Sequence, residues 1–269
     1  MAKASGFITL TTDFGLADGF VGTMKGVIYT INPDATIIDI SHEIGSRDVS
    51  EAAFLLEASY KYFPRGTVHL VVVDPGVGSR RRATAVETEG YYFVAPDNGV
   101  LTRALVREKV IKSVELTNSA YFLNEVSDTF HGRDIFAPAA AHLSLGTAIE
   151  ALDIEIDGLI EMPVSEPEVS QKGIRGRIIH IDKFGNLITD IPRRLFEAAI
   201  SDRQFVIELA GIKLDRLSRS YADAPAGEPL AIFDSFDNLE IAVNHANAAK
   251  VLGVQIGDDI QIAVRECPA

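Results

Sequence analysis

Apolar residues follow two different rhythms along this chain. Through residues 1–162, short β-branched runs alternate with stretches whose apolar positions recur about every 3.6 residues. FITLTT (7–12) reads as a strand, GFVGTMKGVIYTI (19–31) as a helix and TIIDI (36–40) as a second strand. In DVSEAAFLLEASYKYF (48–63), apolar residues at 49, 52, 53, 56 and 60 trace one helical face. TVHLVVV (67–73) is a third strand, and ATAVET and YYFVAP, within 83–96, form a hairpin. VLTRALV (100–106) is a short helix, VIKSVEL (110–116) a strand, and RDIFAPAAAHLSL (133–145) a closing helix with Pro138 in its first turns. This alternation predicts an α/β domain, a mostly parallel sheet covered by helices.

The rhythm then changes. MPVSEPEVSQKG, with two prolines and little periodicity, suits a linker over 163–173. Beyond it come short strand patterns, IRGRIIHI, NLITDI, QFVIEL, PLAIF, LEIAV and DIQIAV, separated by turn residues. ANAAKVLG (246–253) is the one strong later helix, and no internal repeat is expected. The pattern predicts a smaller C-terminal antiparallel β-barrel domain, 174–269, after an N-terminal domain of 1–162.

Charge narrows the partners. Lys and Arg total 25 against 38 Asp and Glu, a net −13, which repels nucleic acid and anionic membrane. Cys267 is the only cysteine, so no intrachain disulfide and no Cys/His metal spacing is expected, and the thiol reads as inert. The opening MAKASGFITL lacks a charged segment followed by a long apolar one, and no run approaches a membrane span; a reducing cytoplasm is the expected location.

Candidate chemistry gathers at strand ends. In open α/β sheets, ligands sit beyond the carboxyl ends of the strands. Asp13 stands at such an end in TLTTDFGLADGF, with Asp18 just ahead of the helix; the glycines there match neither dinucleotide nor P-loop spacing. A carboxylate there can hold two ribose hydroxyls, or merely cap the helix. Asp74 holds the equivalent position in VVVDPGVGSRRR, before a glycine-rich turn open enough for a ligand to approach the backbone. A buried carboxylate needs a cation or donors, and Arg80, Arg81 and Arg82 are all near. Alternation sends Arg81 to the side opposite its neighbours, so one arginine can return to the site while the others reach solvent; which one returns is open at this point.

His131, ahead of the last N-terminal helix, can be a neutral base or water ligand, its pKa lowered by the helix N-terminus, or a capping residue. Arg133 and Asp134 are expected to pair with each other or with the rest of the fold. In the second domain, Asp182, Phe184 and Asn186 cluster on one turn, and Ser235, Phe236 and Asn238 on another. They offer an acid for an amine, aromatic faces for a heterocycle and amides for ring nitrogens, although ordinary turn chemistry explains them equally.

Taken in order, TTDFG, VVVDPGVGSxR, APDNGxLT, TFHGRD, DxFGNxxTxI and SFDNLEIAVN resemble the S-adenosyl-L-methionine hydroxide adenosyltransferases, relatives of the fluorinating and chlorinating enzymes, over about residues 7–264. The resemblance implies an α/β domain followed by a β-barrel. It also implies a homotrimer with active sites between subunits, and hydrolysis of S-adenosyl-L-methionine to adenosine and L-methionine without a metal or other cofactor. It makes Asp74, Arg81 and His131 the water-handling triad, with the arginine seven residues after the aspartate. Asp13 becomes the ribose ligand, Asp18 and Asp182 neighbours of the methionine amine, and Phe184 and Asn186 the adenine side. Ser235 and Phe236 fall in a loop contacting methionine or adenine. Halogenating relatives carry a Tyr in place of Asp74 and a different pair in place of His131-Gly132, and fluorinating ones a long insertion before YYFVAPDNG. Phe20 here also replaces a small polar residue, so hydrolysis is favoured over halide chemistry.

Two rival readings remain at the level of sequence. A metal-dependent phosphoesterase would use Asp13, Asp74, His131 and Asp134 as ligands, without compact metal-binding spacing. A sensor of adenosine or S-adenosyl-L-methionine would keep the pocket and lose the chemistry.

Overall fold

In a computed structural model, which describes residues 3–201 and 203–265, the chain divides into two compact units, Met1–Pro163 and Val164–Ala269. Cys267 lies outside the described residues.

The first unit is built on β3 (Val68–Val72), a strand buried along its whole length. Around it the sheet runs β2 (Thr36–Ser41), β1 (Phe7–Thr12), β3, β5 (Tyr92–Pro96), β4 (Ala83–Thr88) and β6 (Val110–Glu115). The pairings β1–β2, β1–β3 and β3–β5 are parallel; β4 is antiparallel to both its neighbours. Strand alternation divides the apolar side chains between two faces. Leu70 and Val72 join Ile8, Leu10 and Val94 under α1 (Phe20–Ile31) and α4 (Ala137–Ser144). Val71 and Val73 join Phe93 and Ala95 under α2 (Val49–Ser59) and α3 (Thr102–Leu105). Val21, Met24 and Ile28, one face of α1, are all buried, about 1.5–3 kcal/mol each of apolar transfer.

The helix boundaries have local causes. Asp48 caps α2 by accepting from the Glu51 amide at 2.9 Å. The helix expected to reach Phe63 ends at Ser59 and tightens into a 3₁₀ turn, Tyr60–Tyr62, because Pro64 bars its predecessor from helical geometry. The helix expected over 133–145 is likewise composite: a π-helical turn, Gly132–Phe136, leads into α4. Pro138 has no N–H for the Asp134 carbonyl, which instead accepts from Leu123 at 2.9 Å.

In the second unit the antiparallel order is β11 (Ile212–Leu214), β10 (Phe205–Leu209), β14 (Asp259–Val264), β8 (Gly173–Ile181), β9 (Leu187–Pro192), β13 (Asn238–Val243) and β12 (Pro229–Phe233), a nearly closed barrel-like sheet. Ile174, Ile178, Leu187, Leu239, Ile241, Ile260 and Ile262 fill it. Within the segment expected to be a linker, β7 (Glu168–Ser170) pairs with β8. A second later helix joins α6 (Ala248–Leu252): α5 (Arg193–Ile200) buries Phe196 and Ile200, one turn apart.

Candidate active site

Thr12 of β1 pairs with Val72 of β3, so Asp13 and Asp74 leave the first unit's sheet from neighbouring strands at its carboxyl edge, one residue out of step. Asp74 is met by Arg81. Its Nε lies 3.0 Å from Oδ1 and 2.9 Å from Oδ2, and a terminal nitrogen reaches Oδ2 as well. The pair is nearly dry, with the two side chains 6% and 10% exposed. A bidentate guanidinium is the residue best suited to neutralise a carboxylate there. The guanidinium also lies over the Phe136 ring at 5.0 Å, a face delivered by the π-helical turn.

The neighbouring arginines part company. Arg80 is exposed. Arg82 does not simply reach solvent as expected; it donates to Asp97 at 2.8 Å and to the Gly158 carbonyl at 3.0 Å. The glycine turn also makes a close approach of its own. Gly78 holds φ +74°, and a Cβ there would lie 2.5 Å from the Asp128 carbonyl oxygen, so the close approach is made by the chain's own 128 segment.

The same terminal nitrogen of Arg81 lies 2.8 Å from Nδ1 of His131. A guanidinium only donates, so Nδ1 must be the acceptor and the imidazole proton resides on Nε2. The His131 pKa is lowered, first by burial and then by the positive charge of Arg81, with Asp74, Asp134 and Asp128 opposing. Burial and the neighbouring cation thus lower it, at the position just ahead of the π-helical turn.

Asp13 accepts from the Arg47 amide at 2.8 Å, and Arg47 adopts φ +65°. The preceding Thr12 hydroxyl bonds Nδ1 of His42 at 2.8 Å and accepts from the Phe14 amide. His42 in turn sits 3.0 Å from Asp39, which Lys25 also holds. The end of β1 is therefore anchored from the side by β2. Asp18 is exposed in the turn before α1. Phe130 meets Phe14 and Phe20 edge to face, and those two are tilted against each other, with centroids 5.2–5.8 Å apart, an aromatic cluster that no periodicity revealed.

Asp134 is fully buried and taken up by Arg133 and by the amide and hydroxyl of Ser127, as its expected pairing requires. It cannot serve as a metal ligand without breaking those bonds. Among the described residues no three His, Cys, Asp or Glu side chains come together to hold a metal ion.

In the second unit, Oδ1 of Asp182 accepts from the amides of Phe184 and Asn186 at 2.9 and 2.8 Å, while Oδ2 accepts from the Asn186 side chain at 3.0 Å. Gly185 has φ +89° and is pressed against Asn247, the N-cap of α6, so no side chain fits there. Asp234 repeats the arrangement: its Oδ1 accepts from the amides of Phe236 and Asn238 at 2.8 and 2.9 Å. D-x-F-x-N therefore occurs twice, at 182–186 and 234–238, a short repeat where none was expected. Phe184 is 76% exposed, and with Asp182, Asn186, Tyr221 and Asn247 it lines an open cavity of about 590 Å³. Ser235 and Phe236 are exposed on the second turn.

The fold and the first unit's polar triad define an α/β-plus-barrel protein with a nearly dry Asp–Arg pair joined to a half-buried histidine at the edge of its sheet. Comparisons with known proteins are consistent along the whole chain. Residues 8–153 match the SAM hydroxide adenosyltransferase N-terminal domain, and residues 176–261 match its C-terminal domain. The chain is 36% identical to an (R)-S-adenosyl-L-methionine hydrolase of Salinispora tropica, covering 95% of this chain and 97% of that one. It is 34% identical to another from Thermus thermophilus, over 93% and 97%. A fluorinase of Nocardia brasiliensis is more distant, at 27% over 96% of each. A crystal structure of a conserved protein from Thermotoga maritima superposes with a TM-score of 0.90 at 39% identity, over 95% of this chain and 99% of that one. The chain belongs to the SAM hydroxide adenosyltransferase family.

Proposed function

We propose that this protein is an S-adenosyl-L-methionine hydrolase that releases adenosine and L-methionine by displacement at the ribose C5′. The observation that carries the reading is the convergence of Asp74, Arg81 and His131 at the sheet edge beside Asp13. The reading is supported by relatives named (R)-S-adenosyl-L-methionine hydrolase over nearly their whole length.

In this mechanism a water binds at the triad. Arg81 has N–H groups beyond those used on Asp74 and His131, and these polarise the water toward hydroxide. His131 presents Nε2–H and orients the oxygen. With Nδ1 already accepting from Arg81, His131 has no free lone pair for the water's proton, which favours Asp74 as the acceptor. The oxygen attacks C5′, the C5′–S bond breaks with its electron pair going to sulfur, and the proton passes from Asp74 to solvent. The sulfonium already carries its charge, so the leaving group needs no acid. Attack of an anion on a cation cancels charge, which a dry site assists.

Asp13 takes the ribose diol, Phe184 and Asn186 the adenine, and Asp18 and Asp182 the methionine ammonium; Ser235 and Phe236 border methionine or adenine. The reaction requires only substrate and water, and no cofactor is assigned. We further propose a homotrimer in which one copy's water-handling residues work with another copy's adenine-binding turn. A cytoplasmic location suits a chain with a single cysteine. No helix among the described residues is long and apolar enough to cross a membrane.

Turnover in ¹⁸O-water tests the reading: adenosine carrying one heavy oxygen is expected. Unlabelled adenosine, or none, overturns it.

A further inference from the structure

The motif APDNG, residues 95–99, takes no part in handling the water, yet it stands against both ends of the loop that does. Asp74 and Arg81 are the first and last residues of that loop, and Val73 and Arg82 flank it. Val73 is fully buried, one residue past the end of β3, and its carbonyl accepts from the Asn98 side-chain amide at 2.9 Å. Arg82, just ahead of β4, is held by Asp97 in two ways. Its carbonyl accepts from the Asp97 amide at 3.0 Å, and its guanidinium nitrogens lie 2.5 and 2.8 Å from Oδ2 of Asp97. Two adjacent residues of one turn thus grip the residue before Asp74 and the residue after Arg81.

Neither grip is loose. Asn98 uses both ends of its amide, since Oδ1 accepts from the Val100 N–H at 3.1 Å and leaves Nδ2 for Val73. The Asp97 side chain is 2% exposed, and its other oxygen accepts from the Ile160 amide at 2.7 Å. Behind it the Met162 amide donates to the Thr102 hydroxyl at 3.0 Å. Gly99, at φ +92°, admits this segment, because a Cβ there would lie 2.9 Å from Cβ of Met162. A buried ion pair whose oxygens are all met resists rearrangement. The loop between the grips is different: Pro75 and Val77 to Arg80 are exposed, so its shape depends on where its ends are held.

We propose that Asp97 and Asn98 are positioning residues, which fix Val73 and Arg82 and so set how Asp74 and Arg81 meet and how Arg81 reaches His131. The kinetic consequence rests on the hydrolase reading; the structural one does not. A displacement of about 1 Å at reacting groups costs about a hundredfold in rate without weakening the binding of substrate.

The test uses Asn98→Ala, which releases the Val73 carbonyl without changing charge, and Asp97→Asn, which weakens the hold on Arg82. Val114→Ala, a fully buried position on β6, controls for lost stability alone. Asn98→Ala and Asp97→Asn should each lower kcat for S-adenosyl-L-methionine about tenfold to a hundredfold, with KM within about twofold and adenosine affinity unchanged. Val114→Ala should lower Tm and keep kcat. A readout free of activity is the His131 ring, titrated by NMR and identified by its loss in His131→Gln. Burial and then Arg81 lower its pKa, against Asp74, Asp134 and Asp128. A displaced Arg81 should let it rise toward about 6.5 in both variants. In Asp97→Asn that rise runs against the direct effect of removing a negative charge, which lowers a histidine pKa. A His131 titration unmoved in the variants that fold overturns the proposal, as does an unchanged kcat or a kcat loss matched by Val114→Ala. If wild type does not turn over S-adenosyl-L-methionine, the hydrolase reading falls separately and the titration decides: a raised His131 pKa sustains the grip on Arg81, and an unmoved one ends it.

Discussion

A single nitrogen of Arg81 serves both Oδ2 of Asp74 and Nδ1 of His131, the latter at 2.8 Å, so one guanidinium couples the acid to the imidazole. Lysine carries the same charge but cannot make a two-pronged bond to Asp74 and also reach His131. Arg81→Lys is expected to lower kcat by about a hundredfold or more while adenosine affinity holds. Steady-state kinetics beside equilibrium binding of adenosine checks this; equal losses in both would show that Arg81 shapes the nucleoside pocket rather than the water site.

The lowered pKa of His131 makes a prediction about acid. A histidine with its usual value would charge near 6.5. With burial and Arg81 both opposing the proton, His131 stays neutral below that point, and kcat is expected to remain level as pH falls through 6.5. The stability linkage has a definite sign. The unfolded chain binds a proton near 6.5 that the folded chain refuses, so the folded state loses stability as pH drops from 6.5 toward the folded value. The difference in Tm between wild type and His131→Gln, compared at about pH 7.5 and 5.5, should move in favour of the variant at the lower pH.

Asp13 accepts from the backbone amide of Arg47 rather than from a side-chain cation. Asp13→Asn keeps the size and one acceptor but loses the charge-assisted pair expected for two ribose hydroxyls. Affinity for adenosine and for S-adenosyl-L-methionine should fall together, by about tenfold to a hundredfold. A loss confined to S-adenosyl-L-methionine would place Asp13 at the methionine end instead.

Gly78 tests the turn that carries Arg81 back to Asp74. Alanine there meets both a left-handed backbone and the Asp128 carbonyl, which should lower stability by about 1–3 kcal/mol. Gly76→Ala meets side-chain atoms, Arg81 Cγ at 3.1 Å and Ser79 Oγ at 3.3 Å, without a left-handed backbone or a carbonyl in the way, and is expected to cost less. Thermal melts of the two variants side by side decide the order.

Glu240 of β13, buried with its Oε1 unpartnered among the described residues, bears on stability. A carboxyl raised from about 4.5 to about 7 helps the folded state only in acid, and that help drains away as pH climbs through this window. Glu240→Gln should therefore gain on wild type between pH 4.5 and 7, reaching roughly 3 kcal/mol at most, and hold that gain at higher pH. Denaturant melts at about pH 4, 6 and 8 follow the difference.

The elements of the first unit were legible because their packing repeats with the backbone. VHLVV is buried on both faces and reads as a central parallel strand. The apolar face of α1 falls where the 3.6 period puts it. Elements that depend on a few contacts were not legible: β7 and β11 are three residues each, and α5 shows only two buried positions. The π-helical turn was hidden because its cause, the Asp134 carbonyl released by Pro138, finds its new partner at Leu123, eleven residues earlier.

By itself the sequence determined the two-part architecture, the strand ends on which Asp13 and Asp74 stand, and the ordered motifs that bring Arg81, His131, Asp182, Phe184 and Asn186 into one family pattern. The architecture and the strand ends depend on periodicity and local turn chemistry, and the motifs on resemblance to a known family; all of these the chain carries residue by residue. Only the tertiary structure decided where each arginine goes, which nitrogen of His131 holds its proton, and that Glu240 is a buried acid without a full set of partners. Those outcomes turn on distances between segments far apart in sequence, and hydrogen bonding and burial act over a few ångströms of space whatever the separation along the chain.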